Sequence, residues 1–265
     1  LTDGVCRNRH CIGSETCQNL NTSHDDYLQL LRKIRHVKGV KKVFVRSGLR
    51  YDYVLADGNK EFVKELCQYH VSGQLKVAPE HVVKHVTDLM GKADVNAFLT
   101  FKDWFDEANR ELGKKQYLVP YFMSSHPGCT LKDAVALAEF LRDMHMQPEQ
   151  VQDFIPTPGS LSTAMYYTGI NPLTGQKVYV ARRAEEKQMQ RALMQYKNPA
   201  NYDIVYKALC LAGRRDLIGY GPKCLIAPRR HQSQSGRPLG SGRHGRSPVR
   251  SGQRRKNLNR TRKFR

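Results

Sequence analysis

A chain of 265 residues, 40% hydrophobic and 26% charged, has room for one large domain or two modest ones. It contains no run of roughly 18 apolar residues that would span a membrane. LTDGVCRNRHC at the start offers no apolar stretch for a signal peptide, so a reducing cytoplasm is the expected compartment. The net charge of +20 raises nucleic acid as a partner, and seven cysteines, an odd number spread along the chain, do not read as a disulfide framework.

Residues 1–24 carry Cys6, Cys11 and Cys17 at C-x4-C-x5-C spacing, with His10 and His24 nearby. Zinc and iron–sulfur sites favour tighter spacing. Three readings stay open: an auxiliary metal site completed by a histidine, a redox-sensitive or substrate-handling thiol group, or three unligated thiols.

From residue 25 to 160, helix and strand signals alternate. HDDYLQLLRKIRHVKG places Tyr27, Leu30, Leu31, Ile34 and Val37 at helical spacing, opening after Ser23 and closing at Gly39. VKKVFVRSG then predicts a strand, NKEFVKELCQYHVSG a helix and QLKVAPEH a second strand. VNAFLTFKDWFDEANRELGKK predicts a long helix whose Phe98, Phe101, Trp104 and Phe105 form one core-facing stripe. QYLVPYFMSSHPG predicts a third strand, LKDAVALAEFLRDMHM a helix and QVQDFIPTPG a fourth strand. Four strands separated by helices predict an α/β fold with a parallel sheet. Cys67 and Cys210, beside apolar neighbours, read as buried small hydrophobes.

Polar residues follow each predicted strand: Arg46, Ser47, Arg50 and Asp52; Lys76, Glu80 and His81; Ser124, Ser125 and His126; and Thr157 between two prolines. Ligands of parallel α/β sheets bind at that edge, where loops converge and helix amino termini present free N–H groups. Four polar strand ends in a row point to a shared site.

Residues 161–227 lose the alternation. They read as a turn-rich connector followed by helices over 184–196 and 202–212, the first stopped by Asn198-Pro199 and the second by Gly213. Residues 228–265 hold thirteen Lys or Arg and no Asp or Glu. The rest of the chain keeps 31 basic against 24 acidic residues, so most of the excess charge lies in this Arg/Gly/Ser-rich segment. Its composition predicts disorder. It reads either as an arm making nonspecific nucleic-acid contacts or as a solvated tail.

Taken together, GVKKVFVRSGLRYD, GQLKVAPEH, GKKQYLVPYFMSSHPG, QVQDFIPTPGSLSTAMYYTGINPLTG and YKNPANYDIVYKALCLAGRRDLIG resemble the YgiQ family of radical S-adenosylmethionine (SAM) proteins. The resemblance runs from Cys6 to Ile226 and includes the Cys6, Cys11, Cys17 group. It implies a partial parallel (β/α) barrel, of which the four strands look like the last four of six. It also implies a [4Fe–4S] cluster and SAM, which together start hydrogen abstraction from a substrate. The superfamily holds that cluster with C-x3-C-x2-C, which this sequence lacks. The chain therefore resembles the carboxyl-terminal portion of such an enzyme, inactive by itself and prone to aggregate through an open sheet edge.

The resemblance also gives expected roles. Ser47 and Arg50 would meet substrate or the SAM carboxylate, Lys76 and Glu80 the ribose hydroxyls. Ser124 and His126 would stand at the next strand end, and Thr157 where backbone meets adenine. His126 reads as a general acid–base or as a structural histidine, and Arg50 with Glu80 equally as a plain ion pair. The rival functions are a nucleic-acid-associated protein working through its basic tail, and a zinc protein built on the first three cysteines.

Overall fold

The computed structural model describes residues 16–148 and 151–229, together with Cys6, Cys11 and Gly13. Helix α1, Asp25–Arg35, forms where the spacing predicts it, with Leu28 and Leu31 buried. The Ser23 hydroxyl accepts from the Asp25 backbone N–H at 3.2 Å, so it serves the first turn from just outside the helix. Acidic Asp25 and Asp26 open the helix and Arg32, Lys33 and Arg35 close it, each sign at the favourable end of the dipole.

The strand expected over residues 40–48 does not form. These residues are extended, with Val43 and Val45 half-buried and Phe44 and Arg46 exposed. They touch their neighbours through isolated bonds, Val45 N–H to His70 O at 2.8 Å and Lys76 N–H to Arg46 O at 3.0 Å. Two bonds of this kind do not make a parallel ladder. Instead the chain turns into α2, Tyr51–Asp57, whose Tyr51 and Val54 are buried at i, i+3 spacing. Helix α3, Lys60–Glu65, starts under an Asn59 cap and continues into a π-helical turn, Leu66–His70.

Three parallel strands make the sheet, in the order β1 (Gln74–Glu80), β2 (Tyr117–Ser124) and β3 (Gln152–Asp153). Between them lie α4, Lys84–Met90, α5, Val95–Glu111, and α6, Leu131–Asp143. The last predicted strand is thus only two residues long. Asp94 caps α5, and Thr130 closes a capping box with Asp133 on α6. After β3 come α7, Leu161–Thr168, α8, Ala184–Met194, and α9, Tyr202–Leu211.

One face of the sheet carries the core. Leu75 and Val77 of β1 pack with Phe98, Phe101 and Phe105 of α5 and Phe62 of α3. All four phenylalanines are fully buried, each stabilising the fold by about 2–3 kcal/mol relative to exposure. Trp104, predicted in the same stripe, is only half-buried at its rim. Phe122 of β2 joins Leu137 and Leu141 of α6 and Met194 of α8 in a second cluster. A third unites α6, α8 and α9 through Ala138, Leu193, Val205 and Leu209. Cys67 is buried as expected, whereas Cys210 is only half-buried.

The other face is uncovered at β1. Gln74 and Lys76 are exposed while Leu75 and Val77 are buried, the alternation of a strand helices cover on one side. The register Lys76 to Val119 puts Val119, Tyr121 and Met123 on that same open side. Among the described residues, no helix is long and apolar enough to cross a membrane.

Candidate functional site

The carboxyl ends of the strands are built from two unlike halves. At β1 a register shift between Val77 and Glu80 ends the regular ladder, and Glu80 takes a positive φ of 65°. Its carboxylate pairs with Lys92, just beyond α4, at 2.8 Å. Arg50, entering α2, holds Asp52 with two bonds, Nε to Oδ1 at 3.0 Å and Nη2 to Oδ2 at 2.5 Å. Donating to the Asp52 carboxylate raises the Arg50 pKa. Arg50, Asp52 and Lys92 rim a hollow of about 20 Å³. The alternative pair of Arg50 with Glu80 is therefore corrected, since each has a different partner.

At β2 the tip is neutral and buried. Ser124, Ser125 and His126 are 1–3% exposed. Ser124 donates its hydroxyl to Asp153 of β3, and its carbonyl accepts from the Phe154 N–H at 2.8 Å. Ser125 has a φ of 62°, unusual for a residue other than glycine and costing about 1 kcal/mol. Gln190 of α8, itself fully buried, spans this turn. Its Oε1 accepts from the Ser125 N–H at 2.9 Å and its Nε2 donates to the Cys129 carbonyl at 3.0 Å. Gly128 N–H donates to Tyr179 O at 2.7 Å. Gly128 sits at φ +92°, a backbone conformation that strains any side chain, and a Cβ there would also stand 2.3 Å from Leu89 Cδ1 and push that side chain aside.

His126 is held at both ring nitrogens. Nδ1–H donates to Pro127 O at 2.8 Å, which fixes the tautomer and leaves Nε2 to accept the Ser162 hydroxyl at 2.8 Å. Phe154 meets the ring edge-on at 5.1 Å. Burial pulls the imidazole pKa down to about 4. His81, beyond β1, is equally buried and also drops to about 4 by desolvation. Val83 N–H donates to its Nδ1 at 3.1 Å, so its Nε2–H faces Cys129 Sγ at 3.5 Å. Burial pushes the Cys129 thiol pKa up, and it is a thiol, not a thiolate, at neutral pH. Cys129 and His81 therefore form a neutral pair without nucleophilic character.

The expected strand-end residues separate accordingly. Arg50 and Glu80 flank the β1 tip, and Ser124 and His126 share the covered β2 tip. Lys76 is corrected to mid-strand, on the open face opposite Val119. Ser47 is an exposed loop residue. Thr157 is exposed beyond β3, where its N–H donates to Thr163 Oγ1 at 2.8 Å and its carbonyl accepts from the same hydroxyl at 2.7 Å. This ties it to the first turn of α7.

Gln190, Ser162, Asp153 and Lys92 were missed from sequence. Gln190 alone left a signal, as a polar residue between Met189 and Leu193 on a buried helical stripe.

A [4Fe–4S] cluster needs convergent thiolates. Cys67 lies beside Asn109 with its pKa raised to about 12 by burial, and Cys129 faces His81. Cys6 is exposed, and Cys11 and Cys17 are half-buried, with Cys11 O accepting from Tyr53 Oη at 3.2 Å. Among the described residues no three His, Cys, Asp or Glu gather as metal ligands would, and His10 lies outside them. These residues do not fit the cluster, and the hollow at the β1 tip is too small for a nucleoside.

This is an α/β protein with a one-sided parallel sheet and a strand tip capped by its own carboxyl-terminal helices. Residues 149–264 match a family described as "Domain of unknown function (DUF3362)". Over 226 residues the chain is 58% identical to a UPF0313 protein of Clostridium perfringens, covering 85% of this chain and 34% of that protein. It is 56% identical to UPF0313 proteins of Methanocella arvoryzae, over 86% of this chain and 38% of that one, and of Clostridium botulinum, over 84% and 35%. The chain belongs to the UPF0313, or YgiQ, family, and spans roughly a third of the length of these curated relatives.

Proposed function

We propose that this chain supplies one wall of a radical-SAM-type barrel, whose cluster is held by residues outside this chain. The supporting observation is the one-sided sheet. Parallel strands are normally covered on both faces, yet β1 exposes Lys76 while Leu75 and Val77 are buried. Tyr121 on the same side donates to Gln152. A face with a cation, a phenol and an amide is suited to line a polar cavity.

In this reading Lys76 and Tyr121 face the reaction space, Arg50 and Glu80 stand at its mouth, and their ion pairs preset their positions. The β2 tip, clamped by Gln190, is scaffold: it fixes where Ser124 and Asp153 hold β2 and β3 together. His126, neutral and satisfied on both nitrogens, holds α7 and moves no proton.

The test is a chimera in which this chain replaces the matching third of the Clostridium perfringens relative. After anaerobic iron–sulfur loading, the expected result is about four irons per chain and reduction-dependent release of 5′-deoxyadenosine from SAM. Lys76→Met should raise the KM for SAM with iron content unchanged. An iron-free chimera and parent, with no SAM cleavage, overturns the radical reading. An unchanged KM removes Lys76 from the wall.

A further inference from the structure

At the opposite end of the strands, before β1 and β2, lies a cavity of about 550 Å³. Its lining comes from the end of α1, the extended residues after it, the π-helical turn and the loop entering β2. Five of its lining residues are Arg or Lys and none is Asp or Glu. That sign imbalance is local, because nearby surfaces pair their charges, as Arg32 does with Glu65 and Lys64 with Glu111.

The five cations are not equivalent. Lys114 donates to Cys67 O at 3.0 Å and also to Gln68 O, so its charge is engaged by carbonyls within the π-helical turn. Arg35 stacks its guanidinium 3.9 Å from the centre of the Tyr69 ring, and its Nη1 is buried without a hydrogen-bond partner. Lys41, Lys42 and Lys115 stand exposed.

Two aromatic rings are interleaved with them. Extended backbone at residues 43–46 sends Val43 and Val45 inward, which forces Phe44 outward to 41% exposure. Tyr69, on the π-helical turn, is 43% exposed. Four extended residues span roughly 13 Å, enough for about three stacked nucleotides at 3.4 Å. Lys42 lies over the Phe44 ring at 5.9 Å and Arg35 over Tyr69, so cations and aromatic rings alternate along the edge as they do where a single-stranded nucleic acid binds: bases stack and phosphates meet ammonium groups. An isolated phosphate would call for donors converging on one point, whereas these lysines are spread along the edge.

We propose that this groove binds a single-stranded polynucleotide, with Phe44 and Tyr69 as base platforms and Lys41, Lys42 and Lys115 as phosphate contacts. The site is distinct from both the strand tips and the basic segment beyond Pro228, and it does not depend on the radical reading.

The test uses the full chain, so every variant keeps the same basic carboxyl-terminal segment. Binding of fluorescent twelve-nucleotide oligouridine and oligothymidine is measured across a salt series. Phe44→Ala is expected to weaken binding about fivefold or more at every salt concentration. Lys41→Gln/Lys42→Gln/Lys115→Gln, all at exposed positions, should make the slope of log affinity against log salt shallower by about 2. Ribo- and deoxyribo-oligomers bound alike, or RNA preferred through its 2′-hydroxyls, each support the groove and separate the two sources. Wild-type affinity and slope in both variants overturn it, as does duplex RNA or heparin binding that is equally sensitive to Phe44→Ala.

Discussion

The tips of β1 and β2 lie side by side on one sheet edge, yet one is built on partly exposed ion pairs and the other on buried neutral groups. At β1, Arg50 with Asp52 and Glu80 with Lys92 stay partly in water, where opposite charges are cheap to maintain. At β2, α7 and α8 cover the turn, where the Gln190 amide, the Ser162 hydroxyl and the neutral His126 imidazole are joined to it by hydrogen bonds. Asp153, bonded by Ser124, and His81, reaching Cys129 from beyond β1, stand at its border. Solvent access, more than residue type, decides which polar tip can meet a ligand and which one holds the fold together.

The largest test of this contrast is acid. The imidazoles of His81 and His126 have pKa values near 4 when folded, against about 6.5 when unfolded. Between those values the unfolded chain binds protons that the folded chain refuses. Stability is therefore complete above about pH 6.5 and falls as the pH drops toward 4, by about 3 kcal/mol per histidine. Urea midpoints at pH 7, 5.5 and 4.5 should fall steadily, and His126→Gln should flatten the decline. A flat profile in the parent chain refutes neutral burial.

Next is Gln190→Leu, which keeps the volume and strands the Ser125 N–H and Cys129 carbonyl. An unfolding free energy lower by about 3 kcal/mol is expected, read from denaturant midpoints. A loss under 0.5 kcal/mol would mean the turn needs no clamp. Ser162→Ala removes only the hydroxyl on His126 Nε2 and should cost about 1 kcal/mol. Lys92→Met at the wet tip should cost less than about 1 kcal/mol and respond to added salt. A Lys92 effect exceeding that of Gln190 would invert the comparison.

The sequence disclosed what depends on local periodicity. Helices α1, α5, α6, α8 and α9 follow from apolar spacing and stop signals, and Phe98, Phe101 and Phe105 are core as their stripe required. Strands depend on partners distant in sequence. Residues 40–48 have strand composition but no ladder, and β3 shrinks to Gln152–Asp153. Short helices α2, α4 and α7, of seven or eight residues, gave too few turns for a period to show. The polarity of the strand ends was legible. The covering of one of them was not, because it depends on Gln190 reaching a turn 65 residues earlier.

That separation also bears on synthesis. A nascent chain leaves the ribosome amino end first, so the turn after β2 emerges with two backbone groups whose partners have yet to be made. At about 5–20 residues per second, α8 follows roughly 3 to 13 seconds later. During that interval β2 exists without its fastening, and a slow codon run between Cys129 and Gln190 would prolong the exposure.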